Sequence, residues 1–423
     1  MDLSKKKLLV LGGASYMPYI REYADKEGFL VYCAGGTHNK LMERFSDAFF
    51  LVEATDKYAI EQLISEKKID GVVSLGNENL IDATIDIAAE AKLPFYLDRK
   101  NWNEIQDKEQ FKKHCREYDI PVVPGYSCSG EDPEEYKALK YPVVVKPADS
   151  SGSQGVSVCE YKGALDKAIE KAMSCSRTGR FLIEKYCLAP EFIATYIIEK
   201  GVPIIWMLGD RYMNRLQHGF GGLSNCSFFP SIFADQYMEE IHPKMVRLLQ
   251  KYGPENGTFF VQGFAQDNQL AFFDPALRFC GTLDIIPYSA VMGINPLHWM
   301  INHSFTGVMD FNHEIERMDW RLKGKKIAEL SLLVSTGTIG HVEGLEDVKN
   351  DPHIIEVVQL LDEGDVVDKQ GTLQQVAARI FLACDDFRTA VSLIEKLYDI
   401  VKISDVEGSD MLMPFMPYGL NRA

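Results

Sequence analysis

The hydrophobic positions of residues 1–104 follow two alternating patterns, one of short apolar runs and one of helical spacing. The apolar runs predict buried strands at Lys7–Leu11, Phe29–Cys33, Asp47–Val52 and Gly71–Leu75. The helical spacing predicts helices over Pro18–Gly28, Tyr58–Lys68 and Leu80–Lys92. Strands that alternate with helices form a parallel sheet that is covered on both faces. The pattern therefore predicts a parallel-sheet domain over residues 1–104.

A different pattern follows at residues 141–158, where a β-branched apolar run leads into a loop of small residues. Val143–Val145 predict a buried strand, and Lys146 stands where this strand runs out. The loop at residues 150–155 has almost no side-chain bulk, so its backbone N–H groups and hydroxyls can close around phosphate oxygens. An ordinary β-hairpin with a flexible Ser/Gly turn is the alternative interpretation of this stretch taken alone.

A helix start precedes this loop at residues 107–110. Asp107 is predicted to cap the helix and Gln110 to reach back to it, as in a capping box. Lys108 then lies in the first turn, where a cation is unfavourable against the helix dipole. A nearby anionic ligand would offset that cost, and an exposed lysine on a helix is the alternative.

A second apolar strand, Phe181–Cys187, follows the loop after an amphipathic helix over Leu165–Met173. The backbone edge of this strand is predicted to become free at residues 184–187, where it can hydrogen-bond the edge of a purine. Glu191 comes a few residues later, and a carboxylate there can hold two ribose hydroxyls.

Composition and charge narrow the class of protein. The chain has 423 residues, of which 46% are hydrophobic and 25% charged, as is typical of a globular protein with several domains. The formal charge of -16 argues against a general nucleic-acid binder, because such a protein needs a basic face. No window predicts a membrane span or a signal segment, and the nine scattered cysteines indicate reduced thiols. We therefore expect a cytoplasmic protein.

The order of these pieces is specific. A helix that begins D-K is followed by I-P-V-V-P-G, then by Y-P-V-V-V-K-P with S-S-G-S-Q-G-V, and finally by F-L-I-E-K-Y and P-E-F. This order resembles the ATP-grasp superfamily, in particular its carboxylate–amine ligases, whose relatives include amino-acid ligases, biotin carboxylase and the carbamoyl-phosphate synthase large subunit. The resemblance implies a mixed α/β and α+β multidomain fold. A Rossmann-like parallel-sheet domain would precede a two-lobed ATP-grasp domain.

By this resemblance, a set of residues would bind ATP. Lys108 and Lys146 would bind its phosphates. The small-residue loop would fold over the phosphates with Ser151, Gly152, Ser153, Gln154 and Gly155. The adenine and the ribose would be held by the strand end and the carboxylate that follows it, namely Glu184, Lys185, Tyr186, Cys187 and Glu191.

A β-hairpin predicted at Gly257–Gln266 and Gln269–Asp274 matches the metal-binding hairpin of the family. The family pattern has Glu in the first strand and E-x-N-x-R at the end of the second, whereas here Gln262, Asp274 and Ala276 replace the Glu, the Glu and the Asn. The resemblance implies Mg²⁺, or Mn²⁺ in its place, held by Gln262 and Asp274 together with the nucleotide phosphates. Two consequences of these replacements stay open: weaker catalysis, and the loss of a second metal ion.

Only Arg278 of that motif is unchanged, and it is the predicted catalytic residue, because a guanidinium can hold a carboxylate or phosphate at two points. The implied reaction is ADP-forming: a substrate carboxylate attacks the γ-phosphate of ATP, and an amine then displaces phosphate from the acyl phosphate. Amino-acid or peptide-type ligation is one form of it. The alternative is an ATP-binding sensor or subunit that has lost catalysis. A purine-pathway synthetase or a carboxylase is less favoured.

The resemblance also divides the chain into four regions. These are the N-terminal domain at 1–104, the lid and nucleotide-binding subdomain at 105–195, the catalytic and metal core at 196–330, and a C-terminal closing subdomain at 331–423. The implied partners are small-molecule carboxylate and amine substrates, with a homodimer as the expectation for the family. Neither nucleic acid nor membrane is expected as a partner.

Overall fold

The computed structural model describes residues 2–75, 77–126, 133–150, 152, 154–214, 223–266, 269–309, 311 and 313–415. Its strands are β1 (Lys7–Leu11), β2 (Leu30–Gly35), β3 (Ala48–Leu51), β4 (Gly71–Ser74), β5 (Gly125–Tyr126), β6 (Val143–Pro147), β7 (Ser157–Cys159), β8 (Phe181–Lys185), β9 (Glu191–Glu199), β10 (Val202–Asn214), β11 (Leu223–Phe229), β12 (Gly257–Gln266), β13 (Gln269–Ala276), β14 (Lys326–Leu333), β15 (Gly337–Glu343), β16 (Ile354–Gln359), β17 (Val366–Val367), β18 (Val376–Cys384) and β19 (Lys402–Asp405).

The helices are α1 (Met17–Glu27), α2 (Lys40–Arg44), α3 (Lys57–Lys67), α4 (Glu78–Ala91), α5 (Arg99–Ile105), α6 (Lys108–Glu117), α7 (Leu165–Cys175), α8 (Ala234–Gln236), α9 (His242–Tyr252), α10 (Ile285–Met292), α11 (Pro296–Thr306), α12 (Leu345–Val348) and α13 (Phe387–Ile400). A π-helical turn, Tyr237–Ile241, joins α8 to α9. No helix in the described ranges is both long and apolar enough to cross a membrane.

The N-terminal sheet is parallel, with the strand order β3-β2-β1-β4. Successive residues of β1 point to opposite faces: Leu8 and Val10 join one buried cluster, whereas Leu9 and Leu11 join another. Both faces are therefore covered, and the predicted N-terminal parallel sheet is confirmed.

Two antiparallel sheets follow. The smaller one has the order β5-β8-β6-β7 and encloses its own apolar cluster with α7. The larger one has eight strands in the order β13-β12-β9-β10-β11-β14-β18-β16, and a three-stranded sheet, β17-β15-β19, follows along the chain. The smaller sheet carries the predicted nucleotide strands, whereas the larger carries the predicted metal hairpin, β12–β13.

The loop after β13 is held by the N-terminal domain. Tyr16 donates its hydroxyl to the carbonyl oxygen of Cys280 at 2.7 Å, and Tyr96 donates to that of Leu277 at 2.8 Å. Both tyrosines are buried, and they belong to the same apolar cluster as the large sheet. The N-terminal domain therefore positions the segment that contains the predicted catalytic arginine.

The predicted capping box at α6 forms only in part. Asp107 Oδ1 accepts hydrogen bonds from the N–H groups of Glu109 and Gln110 at 3.0 Å, as expected for a cap. Gln110, however, directs its side-chain amide to Glu104 Oε2 at 3.3 Å. The predicted return contact from Gln110 to Asp107 is therefore wrong, because the Gln110 side-chain amide is engaged by Glu104 and by His114 Nε2 at 3.2 Å.

Candidate functional site

The two predicted phosphate-binding lysines meet at the end of β13. Lys108 Nζ lies 2.9 Å from Asp274 Oδ1 and donates to the carbonyl oxygen of Ser150 at 2.6 Å. Lys146 Nζ donates to the carbonyl oxygen of Phe273 at 3.1 Å and lies 5.2 Å from the centroid of its ring. Both lysines are at most 5% exposed. The structure thus brings together a helix start, a strand and a hairpin that are far apart in sequence.

A buried carboxylate, Glu184, lies between two lysines. Lys146 Nζ is 3.0 Å from Glu184 Oε2, and Lys112 Nζ contacts Glu184 Oε1. Lys112 also donates to the carbonyl oxygen of Val123 at 3.2 Å. Burial lowers the pKa of Lys112 to about 8, although the Glu184 carboxylate acts in the opposite direction. One carboxylate therefore compensates two ammonium groups, and the site keeps an excess of positive charge.

Lys112 was missed in the sequence analysis. It lies four residues after Lys108 on α6, and residues with that spacing lie on the same face of a helix. That spacing was the signal that could have found it.

The small-residue loop is anchored at both ends. Asp149 accepts hydrogen bonds from Ser176 Oγ at 2.6 Å and from the N–H and hydroxyl of Thr178 at 3.0 and 2.8 Å. Burial acts to raise the pKa of Asp149, but these hydrogen bonds outweigh burial and lower that pKa. Gly155 has a φ of 75°, and a Cβ there would lie 2.7 Å from Pro147 Cγ, so only glycine fits.

Between these anchors the predicted phosphate loop is only partly described. Gly152 and Gln154 are exposed, and a Cβ at Gly152 would meet no atom within 4 Å. Ser151 and Ser153 lie outside the described residues. The backbone at Gly152 therefore borders open space, as a loop that covers phosphates requires.

The predicted adenine and ribose positions have protein partners. The Lys185 N–H donates to the carbonyl oxygen of Pro124 at 2.9 Å, and the Tyr186 N–H donates to that of Pro142 at 3.4 Å. The Cys187 Sγ donates weakly to the Lys185 carbonyl oxygen at 3.8 Å. The adenine-binding role of this strand end stays a prediction. Because these two N–H groups already donate to backbone carbonyl oxygens, adenine would contact mainly hydrogen-bond acceptors there.

Glu191, predicted to hold the ribose, pairs with Arg211. The two residues lie directly opposite each other on β9 and β10, and Arg211 Nη1 is 3.0 Å from Glu191 Oε2. Arg211 Nε is buried and has no hydrogen-bond partner. Arg211 was not predicted, because nothing in its local sequence distinguishes it from a surface arginine on a strand.

The predicted metal hairpin forms, and its two candidate ligands face each other. Gln262 on β12 pairs in register with Asp274 on β13. Asp274 Oδ1 is buried and lies 2.9 Å from the Lys108 ammonium group, so a metal ion at this carboxylate would share it with Lys108. The described residues contain no group of three or more His, Cys, Asp or Glu side chains that could hold a metal.

Arg278 is held by a carboxylate from the N-terminal domain. Arg278 Nε donates to Glu78 Oε1 at 2.7 Å, and Arg278 Nη1 donates to the carbonyl oxygen of Phe279 at 2.8 Å. The guanidinium also lies 5.1 Å from the Phe260 ring centroid. Burial acts to lower the pKa of Arg278, but Glu78 together with Cys280 and Tyr16 acts in the opposite direction, and the pKa is raised. Glu78 is the first residue of α4, which Asn77 caps.

Comparisons with known proteins match both the fold and the predicted nucleotide-binding region. Residues 107–213 match the family described as carbamoyl-phosphate synthase L chain, ATP binding domain. The L-amino acid ligase from Bacillus licheniformis superposes with a TM-score of 0.78, covering 95% of this chain and 99% of that one at 16% identity. This chain has the ATP-grasp fold. The biotin carboxylase domain of Hydrogenobacter thermophilus 2-oxoglutarate carboxylase, a dimer in complex with MgADP, has a TM-score of 0.75 at 17% identity, covering 96% and 91%.

Sequence relatives of this chain match over shorter stretches. The carbamoyl phosphate synthase large chain of Saccharolobus islandicus is 26% identical over 153 residues, which are 34% of this chain and 14% of that protein. The ATP-grasp enzyme fsqD of Aspergillus fumigatus is 29% identical over 143 residues, 32% of this chain and 25% of that one. The chain thus spans only a small part of the length of these relatives.

Proposed function

We propose that this chain is an ADP-forming ligase that uses ATP and Mg²⁺ to join a carboxylate to an amine through an acyl phosphate. The observation that carries the proposal is the meeting of Lys108 and Lys146 at the end of β13, beside Asp274. Buried ammonium groups at one place suit the phosphates of a nucleotide, because charge-assisted hydrogen bonds are strong there. The ATP-grasp fold and the match over residues 107–213 support the same nucleotide.

In this proposal the metal site is completed by the nucleotide. Asp274 and Gln262, which pair in register on β13 and β12, provide the oxygen ligands of the protein, and Asp274 is shared with Lys108. Hard oxygen ligands suit Mg²⁺, which commonly takes part of its shell from substrate phosphates. When bound, Mg²⁺ would neutralise charge on the transferring phosphoryl group.

The residues of this chain then have separate tasks. Lys108 and Lys146 draw charge from the phosphate oxygens during transfer, which is the main contribution that a protein makes to phosphoryl transfer. Arg278 orients the substrate carboxylate, which takes the place that Glu78 occupies on the guanidinium. The small-residue loop, anchored by Asp149, closes over the phosphates and excludes water.

The test is turnover by the full chain with ATP, Mg²⁺ and panels of carboxylates and amines, followed as ADP and phosphate. We expect ADP release that depends on a carboxylate and rises when an amine is added. Arg278→Lys removes the two-point contact, whereas Arg317→Lys, at an exposed position, is the matched control. Wild-type protein that binds ATP but releases no ADP across broad panels would contradict the proposal.

The alternative is an ATP-binding sensor or subunit without turnover. It is favoured by Gln262 and Ala276, which leave Asp274 as the single carboxylate of the hairpin motif. Both functions predict that ATP raises the melting temperature of the chain. Only the ligase predicts that substrates drive ADP release in the presence of Mg²⁺.

The four-region division of the chain and its homodimeric state stay predictions as well. Limited proteolysis would place the region boundaries, and sedimentation velocity would give the oligomeric state. The Hydrogenobacter thermophilus domain is a dimer, and we propose a homodimer here on that analogy.

A further inference from the structure

The segment that follows α7 joins the small antiparallel sheet to the N-terminal domain. We call residues 176–180 the strap. In its middle, Arg177 Nη1 lies 2.8 Å from Asp82 Oδ2 on α4, and the two side chains are 38% and 28% exposed. The proposed phosphate chemistry does not use this ion pair, although it connects two parts of the chain that have separate sheets.

The strap also holds the entry to the small-residue loop. Asp149 Oδ1 accepts hydrogen bonds from the N–H of Arg177 at 3.1 Å and from the hydroxyl of Ser176 at 2.6 Å. The N–H of Ala148 donates to the carbonyl oxygen of Arg180 at 3.1 Å. Because these hydrogen bonds join the strap to Ala148 and Asp149, a displacement of the strap also displaces the loop.

The far end of the strap contacts the start of α6. Arg180 Nη1 donates to Glu109 Oε2 at 3.0 Å, and Arg180 also contacts Asp107. The N–H of Lys108, between these two residues, donates to the carbonyl oxygen of Ala148 at 3.1 Å. The strap, the loop entry and one of the proposed phosphate lysines therefore form a single junction.

Asp82 is held in place independently of the strap. Arg99 contacts Asp82 Oδ1, donates to the Asp82 carbonyl oxygen at 2.9 Å and donates to Asp86 Oδ1 at 2.7 Å. Lys57 contacts the other oxygen of Asp86. An exposed ion pair usually gains little, because two flexible side chains must be ordered to form it. Here the carboxylate is already ordered, so the contact with Arg177 costs less conformational entropy.

Helix α4 also holds Arg278. Glu78, which accepts a hydrogen bond from Arg278 Nε at 2.7 Å, lies four residues before Asp82, and residues with this spacing lie on the same face of a helix. One face of α4 thus contacts the strap through Asp82 and the guanidinium through Glu78. This face connects the loop that is proposed to cover the phosphates with the arginine that is proposed to hold the carboxylate.

We propose that Arg177 is a positioning residue for the nucleotide: its ion pair with Asp82 latches the strap to α4 and keeps the small-residue loop in the place where it covers the phosphates. This inference rests on the proposed ligase function and adds a means of positioning to it. A latch of this kind contributes equally to bound ATP and to the transition state, so its loss raises the KM for ATP and leaves kcat unchanged. An ion pair with a purely structural role would change neither.

The first test is binding of ADP with Mg²⁺ to the full chain, measured by calorimetry. Asp82→Asn is the decisive variant, because it removes a negative charge from a protein that binds an anion. By charge alone this change would strengthen nucleotide binding, whereas loss of the latch should weaken it about 2- to 5-fold. Glu90→Gln is the matched control, since Glu90 is an exposed carboxylate of the same helix, and it should bind at least as tightly as wild type.

Three further variants test Arg177 itself. Arg177→Gln should weaken binding as much as Asp82→Asn does, and Arg177→Lys, which keeps the positive charge, should restore most of the affinity. The double variant of Asp82→Asn with Arg177→Gln should bind no more weakly than Arg177→Gln alone, because both changes break one contact. Additive losses would show that the two residues act separately, and they would overturn the latch.

The second test needs no nucleotide. Hydrogen–deuterium exchange, followed by mass spectrometry, reports on the N–H groups of Ala148 and Thr178, which donate to Arg180 and Asp149. Exchange of the peptides with these groups should be about 2- to 5-fold faster in Asp82→Asn and unchanged in Glu90→Gln. Wild-type exchange rates in Asp82→Asn would overturn the latch.

These tests separate the inference from the ligase function. If the chain binds nucleotide but releases no ADP, the ligase function is refuted, and the affinity of Asp82→Asn still decides the latch. Nucleotide binding by Asp82→Asn that equals or exceeds that of wild type would overturn the inference and leave the ligase function standing. A fall in kcat with an unchanged KM for ATP would overturn it as well.

Discussion

Replacing Lys112 by Met tests whether the ammonium group beside Glu184 is truly desolvated. The folded-state pKa of Lys112 is about 8, against an ordinary value of 10.5, because burial outweighs the attraction of Glu184. Between these two values the unfolded chain holds a proton that the folded chain has released. The free energy of unfolding of the wild type therefore rises with pH across this window.

The size of the effect follows from the two pKa values. For a single site, raising the pH from about 7.5 to about 9.5 should increase the free energy of unfolding by about 2 kcal/mol. Lys112→Met lacks this site, and its methylene stem fills the same volume. Buried tyrosines and cysteines also titrate at alkaline pH, but they are common to both proteins and cancel in the difference.

The assay is urea unfolding of both proteins at the two pH values, with the free energies obtained by linear extrapolation. Lys113→Met is the matched control, since Lys113 is the next residue of α6 and is exposed. It should show the pH dependence of the wild type. If wild type and Lys112→Met changed in parallel with pH, the ammonium group would be hydrated, and the explanation of the site by burial would be refuted.

Three further predictions concern the proposed ligase site. Lys146→Met should weaken ATP binding by about 10- to 100-fold, measured by calorimetry, because a charge-assisted contact is lost; unchanged affinity would remove Lys146 from the nucleotide site. Asp274→Asn should raise the Mg²⁺ concentration needed for half-maximal turnover by about 10-fold, and an unaltered Mg²⁺ titration would contradict the metal assignment. Glu78→Gln frees the Arg278 guanidinium, so the carboxylate substrate should bind more tightly; a higher KM would instead mean that Glu78 positions Arg278.

Much of the fold followed from local pattern alone. The apolar runs around Lys7–Leu11 and the helical spacing after them predicted a parallel sheet, which forms with both faces covered. The hairpin at β12–β13 was also predicted, and Gln262 and Asp274 do lie opposite each other. Helix α5 was not predicted, because its sequence, RKNWNEI, has too few apolar positions to show a helical period.

The candidate site could be predicted only in part. Lys108 and Lys146 were identified because each lies in a motif and the motifs follow one another in a specific order. Both side chains are buried at one place. Lys112 had only its helical spacing as a signal. Glu78 follows β4 at a strand end where the sequence allows a substrate contact but favours a simple turn. Its contact with Arg278 joins residues 200 positions apart, and no local pattern carries that information.

What the sequence by itself determined is the kind of each segment and the identity of the motif residues, because propensity and periodicity act over a few neighbouring positions. Only the tertiary structure decided which charges share a partner: Glu184 pairs with two lysines, and Arg211 pairs with Glu191. The physical reason is that burial and pairing depend on which segments the sheets bring together. The pKa of a side chain, and with it its chemistry, is set by those neighbours and not by the adjacent sequence.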